Sequence, residues 1–190
     1  IFEQKLDEQL VPLLYEEAVK AGMEILTYQG EGIAATNKND KYVQEEAFIN
    51  KMPVVQYDDF LGQLVYPINK CLIVGDPIPL HELELAKELE GKMEVYRSAD
   101  FFLECVPLGI DKARSLDRLI ASLGIRREEI IACGDGYNDL SMIRFAGLGV
   151  AMANAAEDIR SEADFVTLSN EEDGVAHVVE HFILSPENVD

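Results

Sequence analysis

Two carboxylates and a carboxamide, Asp135, Asn138 and Asp139, share the short stretch Gly134-Asp135-Gly136-Tyr137-Asn138-Asp139, which follows directly on the apolar run Ile130-Ile131-Ala132-Cys133. Hard oxygen donors on a glycine-hinged loop suit a divalent cation, Mg²⁺ above all. Asp135 and Asp139 are four positions apart. With a helix beginning inside the loop, they turn toward one point. The plainer alternative is an Asn/Asp-rich turn that only caps the helix.

The flanking pattern predicts the elements that must hold these groups. Ile130–Cys133 has the composition of a buried strand and Leu140–Ala146 that of a helix. A strand, a tight loop and a helix start place polar groups at the carboxyl end of a parallel strand, where open α/β sheets bind ligands. The alternation continues: Leu148–Met152 as strand, a helix capped by Asn154 and running to Ala163, and Asp164–Thr167 as strand. Ser169 to Glu172 spells a capping box ahead of a helix whose apolar residues are Val175, Val178, Val179, Phe182 and Ile183. Upstream, Asp111 caps a helix that begins at Lys112, carries Leu116, Leu119, Ile120 and Leu123 on one face, and ends at Gly124. A cation at a helix N-terminus opposes the helix dipole, which argues that another group holds Lys112 there.

The segment GDGYNDLSMIRFAGLGVAMANAAEDIRSEADFVTLSNEEDGVAHVV closely resembles the C-terminal half of Cof-type phosphatases of the haloacid dehalogenase superfamily, with their GDGxND, GVAMxNA, AD-x-VT and EDGVA motifs. The stretch from Glu104 to Lys112 resembles the family's G-V-S-K-G segment, with Asp111 in place of the serine and Ala113 in place of the last glycine. The resemblance implies phosphoryl transfer through an aspartyl-phosphate. Spread negative charge on the transferring group then calls for cations aimed at it. By resemblance, Lys112 supplies one fixed charge, Asp135 ligates Mg²⁺, and Asp139 supports that metal directly or through water. Asn138 holds the phosphate or the lysine. Asn154 is either a plain helix cap or a contact to substrate at the same rim.

Members of the family begin with a strand ending in D-x-D-G-T, whose first aspartate attacks phosphorus. No D-x-D follows an apolar run in this sequence: Asp76 precedes Pro77-Ile78-Pro79 and belongs to a turn, and Asp58-Asp59 has the look of a helix cap. The chain starts at Ile1, and its first residues already resemble the entry into the family's cap domain. The expectation is that roughly eighty residues precede it, judged from ordinary domain size. They would carry the nucleophile strand that pairs beside the strand of Cys133, and the fragment alone would be catalytically inactive, with a bare strand edge.

Residues 1–107 are expected to form the substrate-selecting cap, an α+β domain with a mainly antiparallel sheet. Residues 108–190 would form the C-terminal half of a haloacid dehalogenase-like Rossmannoid core, a parallel sheet with helices on both faces, so the fold class is α/β. In the first unit, helices are expected over Pro12–Ala21, Asp40–Asn50 and Pro79–Leu89. Strands are expected over Met23–Tyr28, Ile33–Thr36 and Lys70–Val74, with a hairpin of Met93–Arg97 and Phe101–Val106. The loops Gln29–Gly32 and Asp76–Pro79 are candidates to close over substrate, with plain turn chemistry the stronger reading.

Sixteen basic against thirty-six acidic residues give a net charge of −20, which argues against nucleic acid as a partner. The same field repels a phosphorylated metabolite at long range, so capture should be modest in rate and improved by salt. An apolar content of 48% suffices for a real core. Cys71, Cys105 and Cys133 fall in expected strands and fit free thiols of a reducing cytoplasm. Neither a membrane span nor a signal peptide is indicated.

His177-Val-Val-Glu180-His181 matches the H-x-x-E-H pattern of inverted zinc proteases, with Glu187 the sole later glutamate to complete a site. Val175, Val178, Val179 and Phe182 define the expected buried face, which leaves both histidines on a solvated one. His81 is expected at the surface. The phosphorylation domain of P-type pumps shares GDGxND but requires transmembrane helices. A noncatalytic metabolite- or partner-binding module of the same fold is the alternative to a magnesium-dependent phosphatase of small phosphorylated metabolites, sugar phosphates among them. An upstream D-x-D-G-T would decide between the two.

Overall fold

The computed structural model describes residues 3–87 and 89–184. The chain divides into two compact units, Ile1–Ile110 and Asp111–Asp190, and the fold is α/β.

The first unit runs α1 (Leu10–Lys20), β1 (Glu24–Gln29), β2 (Gly32–Ala35), α2 (Lys41–Asn50), β3 (Val54–Gln56), α3 (Phe60–Gln63), β4 (Cys71–Val74), α4 (Pro77–Glu84), β5 (Glu94–Ala99) and β6 (Phe102–Val106). Its six strands lie in the order β3-β2-β1-β4-β6-β5 and pair antiparallel throughout except for β2 with β3. Side chains alternate across the sheet. Ile25, Cys71, Ile73, Leu103 and Cys105 point to one face and pack with Val11, Leu14 and Ala18 of α1 and Leu80 and Leu83 of α4. Leu26, Ile33, Ala35, Leu72, Val74 and Phe102 point to the other and meet Val43 of α2. At the start of α2 the Asp40 carboxylate accepts from the N–H groups of Tyr42 and Val43 at 2.8 and 3.1 Å, so Asp40 caps the helix from the position before its first residue.

Some expectations for this unit need correction. The short β3 was not anticipated, because three residues carry too little periodicity to register. The helix-cap reading of Asp58-Asp59 holds at Asp59, whose carboxylate accepts from Gly62 N at 3.1 Å at the start of α3. The α4 helix spans Pro77–Glu84, starting earlier and ending sooner than Pro79–Leu89. Pro77 and Pro79 both fit a first turn, where a missing N–H costs nothing. The Gln29 side chain donates to Val65 O and accepts from Val65 N, at 3.0 and 2.8 Å, so it splices two loops together. Asp76 accepts from the Tyr42 hydroxyl at 2.8 Å.

The second unit runs α5 (Lys112–Leu123), β7 (Ile131–Gly134), α6 (Leu140–Phe145), β8 (Leu148–Ala151), α7 (Glu157–Arg160), β9 (Phe165–Val166) and α8 (Gly174–Val179). Its three strands are parallel in the order β7-β8-β9. Ile143 of α6, Ala151 of β8 and Ile159 of α7 form its small buried cluster with Ala155. The close approach of α6 to β8 depends on Gly149: a Cβ there would come within 2.1 Å of the Ile143 carbonyl oxygen. Gly124 ends α5 in the left-handed region at φ 68°. Of the apolar stripe on α5 only Ile120 is buried, while Leu119 and Leu123 are 55% and 61% exposed. Among the described residues, no helix is long and apolar enough to cross a membrane.

Candidate active site

β7 ends at Gly134, and the chain turns through Tyr137–Asp139 as one turn of 3₁₀ helix before α6 begins. This geometry turns Asp139 back under the tip of the strand. Its Oδ2 accepts from the N–H groups of Asp135 and Gly136 at 3.0 and 3.1 Å. Its Oδ1 pairs with Lys112 Nζ. A carboxylate as buried as this one, at 6% exposure, holds its charge only when its lone pairs are met. Burial alone pushes the Asp139 carboxyl up, but Lys112 and the two N–H groups outweigh it and hold the group below the usual aspartate range.

Lys112 reaches this point because α5 is hooked onto the loop at its first turn. The Asp111 carboxylate accepts from Arg114 N at 2.8 Å, and Ala113 N donates to Ser141 Oγ at 3.3 Å. Ser141 had no place in the expected site. Its position two residues past Asp139 was the available signal. The lysine is 46% exposed, so its charge faces solvent as well as Asp139. The dipole argument for a partner at this helix start is thereby answered by a named group.

Asp135 behaves differently from Asp139. It is exposed, its Oδ2 accepts from Asn154 Nδ2 at 2.8 Å, and its Oδ1 takes no hydrogen bond from the described residues. Asn138 lies half-buried in the turn with its amide oxygen against Gly136, where a Cβ would meet it at 2.7 Å. It makes no bond to Lys112, so of its two expected roles the one toward the lysine has no support here.

Asn154 is not a helix cap. The following helix starts at Glu157 with Ala156 at its cap position, and the Asn154 side chain instead joins Asp135 to the backbone N–H of Asn170, at 2.8 and 3.0 Å. The helix itself is one turn long rather than reaching Ala163.

The histidine pair also departs from expectation. Val175 and Val179 are 52% and 38% exposed, Val178 is buried, and both histidines are half-buried rather than solvated. His177 is held inward by Thr167, whose buried hydroxyl donates to Gly174 O at 2.8 Å and lies 3.0 Å from His177 Nδ1. Since the hydroxyl proton goes to the carbonyl, Nδ1 is the donor to Thr167. The rings of His177 and His181 stack against each other and on Phe165, with His181 5.8 Å from Phe165. Glu187 lies outside the described residues. Among those described, no three His, Cys, Asp or Glu side chains gather as a ready metal cage.

For Mg²⁺ the donor chemistry at the β7 tip nonetheless fits in kind. Mg²⁺ is bound through one or two carboxylates and keeps several waters, and Asp135 offers an exposed carboxylate with an uncommitted oxygen.

Comparison with known proteins identifies the family. The family model for haloacid dehalogenase-like hydrolases matches residues 1–179. The chain belongs to that family. The putative phosphatase YxeH of Bacillus subtilis is 29% identical over 177 residues, which cover 90% of this chain and 65% of YxeH. The 5-amino-6-(5-phospho-D-ribitylamino)uracil phosphatase YcsE of the same organism is 43% identical over 105 residues, 55% of this chain and 41% of YcsE. The chain thus spans less than two thirds of the length of these curated relatives. A crystal structure of a haloacid dehalogenase-like hydrolase from Bacteroides thetaiotaomicron superposes with a TM-score of 0.87 at 51% identity, covering 96% of this chain and 70% of that one.

Proposed function

We propose that the intact protein is a magnesium-dependent phosphatase of small phosphorylated metabolites, sugar phosphates among them, that works through an aspartyl-phosphate. The observation that carries this reading is the Lys112–Asp139 pair set beside the exposed Asp135 at the carboxyl end of β7. Family membership and the phosphatase names of YxeH and YcsE support it, and YcsE is named for a phosphorylated ribityl compound.

In this reading the second unit supplies the charge-stabilising half of the reaction. Lys112 holds a positive charge toward the transferring phosphoryl group and is kept from swinging into solvent by Asp139. A preorganised cation of this kind acts on charge that grows in the transition state. Asp135 would hold Mg²⁺, which supplies Lewis-acid stabilisation of phosphoryl oxygens when bound. Asp139 serves by anchoring the lysine and the loop N–H groups, since both its oxygens are already engaged. Asn138, with no partner for its amide among the described residues, is available to a phosphate oxygen. We assign residues 1–107 to the substrate-selecting cap and 108–190 to the core.

The test is turnover of p-nitrophenyl phosphate by the intact protein with and without Mg²⁺, for the wild type, Asp135→Asn and Lys112→Ala. Metal-dependent hydrolysis that both substitutions abolish, with melting curves preserved for Asp135→Asn, is the expected result. Undiminished turnover by Asp135→Asn would end the metal assignment.

A further inference from the structure

Asn154 lies in the loop between β8 and α7 and spans two partners that are far apart in sequence. Its Oδ1 accepts from the Asn170 backbone N–H at 3.0 Å, and its Nδ2 donates to Asp135 Oδ2 at 2.8 Å. A backbone N–H only donates, so the amide oxygen must face Asn170 and the NH₂ group must face Asp135.

We infer that Asn154 is a positioning residue for the cation site. It clamps one oxygen of Asp135 and so presents the other, Oδ1, outward, and it ties that carboxylate to the loop that leads into α8. The inference rests on the proposed role of Asp135 as a metal ligand. A direct contact of Asn154 with substrate fits the geometry less well, because both ends of its amide are already used within the protein. A capping role is removed by the start of α7 at Glu157. Partners that orient a ligating carboxylate typically contribute about 10- to 100-fold in metal affinity.

The experiment is Mg²⁺ titration calorimetry on the intact protein without substrate, for the wild type, Asn154→Ala, Asp135→Asn and the double variant. Asn154→Ala is expected to weaken Mg²⁺ binding by about 10- to 100-fold. On the Asp135→Asn background the same change should add no further weakening, because the amide acts through that carboxylate. Should the alanine variant not fold, Asn154→Ser replaces it. Serine keeps a polar group but is too short to reach both partners, and the same loss is expected.

Wild-type affinity in the folded variant would overturn the inference. So would a loss that adds fully to that of Asp135→Asn, which would put Asn154 on the ion itself, or unchanged Mg²⁺ affinity with a raised KM for the phosphoester. An intact wild-type protein that binds no Mg²⁺ removes the metal reading and this inference with it, a result distinct from unaltered binding by the variant.

Discussion

Lys112 and Asp139, twenty-seven positions apart, form an ion pair that joins the first residue of α5 to the last residue of the 3₁₀ turn after β7. The pair links a half-exposed cation to a buried anion, so its two members respond differently to substitution.

Lys112→Met keeps the aliphatic stem and deletes the charge. The screened, half-exposed pair contributes about 1 kcal/mol to stability, allowing for solvent. Under the proposed mechanism catalysis should suffer far more, by about 100-fold or greater in kcat, because the lost group would face developing charge. Thermal melts and steady-state kinetics on the same preparation check both. A variant with full activity would remove Lys112 from the chemistry.

Acid should act on Asp139. Its carboxyl is held below the ordinary aspartate value of 3.8, so its contribution to stability is fully present above that value and is lost as pH falls through the lower folded-state value. Urea midpoints measured from about pH 6 down to pH 2 should therefore fall more steeply for the wild type than for Asp139→Asn in the most acidic part of the range. Parallel curves would contradict the pairing.

Gly134→Ala should cripple the site by sterics alone. A Cβ at Gly134 would lie 2.3 Å from Asp139 Cβ and 2.7 Å from its Cγ, and atoms this near the backbone cannot swing clear. A loss of about 1–3 kcal/mol is expected for such overpacking, together with loss of turnover. Chemical denaturation and phosphatase assays would show it, and a stable, active alanine variant would show the loop to be laxer than described.

The thiols should react in a set order. Burial pushes Cys71 up to about 12 and Cys105 well above the ordinary thiol value, and both are enclosed between the sheet and its helices. Cys133, also raised by burial, is only partly covered. Alkylation of the native protein should label Cys133 first, and all three of the chain's cysteines only in denaturant. Labelling of Cys71 or Cys105 at the rate of Cys133 would place them in an open environment.

Thr167→Val serves as the contrast to the site variants. It leaves the Gly174 carbonyl and the His177 ring without their shared hydroxyl, at a cost of about 1–3 kcal/mol. No change in Mg²⁺ affinity is expected. Denaturation and metal titration separate the two effects.

Much of the second unit could be read directly from the chain because its signals are local. An apolar run, a glycine-flanked loop and a capped helix start fall within one short window, and each acts on neighbours a few residues away. The same holds for Asp111 ahead of Lys112 and for the capping box of Ser169 and Glu172, whose side chains bond at 2.6 Å.

Roles that depend on distant partners were not readable in this way. Asn154 carries the residue type of a helix cap, and nothing beside it in sequence announces Asp135, nineteen positions upstream, or Asn170, sixteen downstream. The valines around His177 and His181 suggested an outward histidine face, but helical periodicity leaves the rotation of a helix open when apolar residues flank both sides. The buried Thr167 hydroxyl holds the His177 imidazole inward, and the His181 ring stacks beside it on Phe165.

Residue type and short-range spacing were enough for the α/β class and the charged groups at the β7 tip, since strand, turn and helix start obey backbone rules that act over a few residues, and the family came from the resemblance of whole motifs. Which oxygen of Asp139 meets Lys112, and which amide holds Asp135, followed from folding. Those contacts bring together strand ends and loops separated along the chain, and their hydrogen-bond geometry exists only once the parallel sheet has formed.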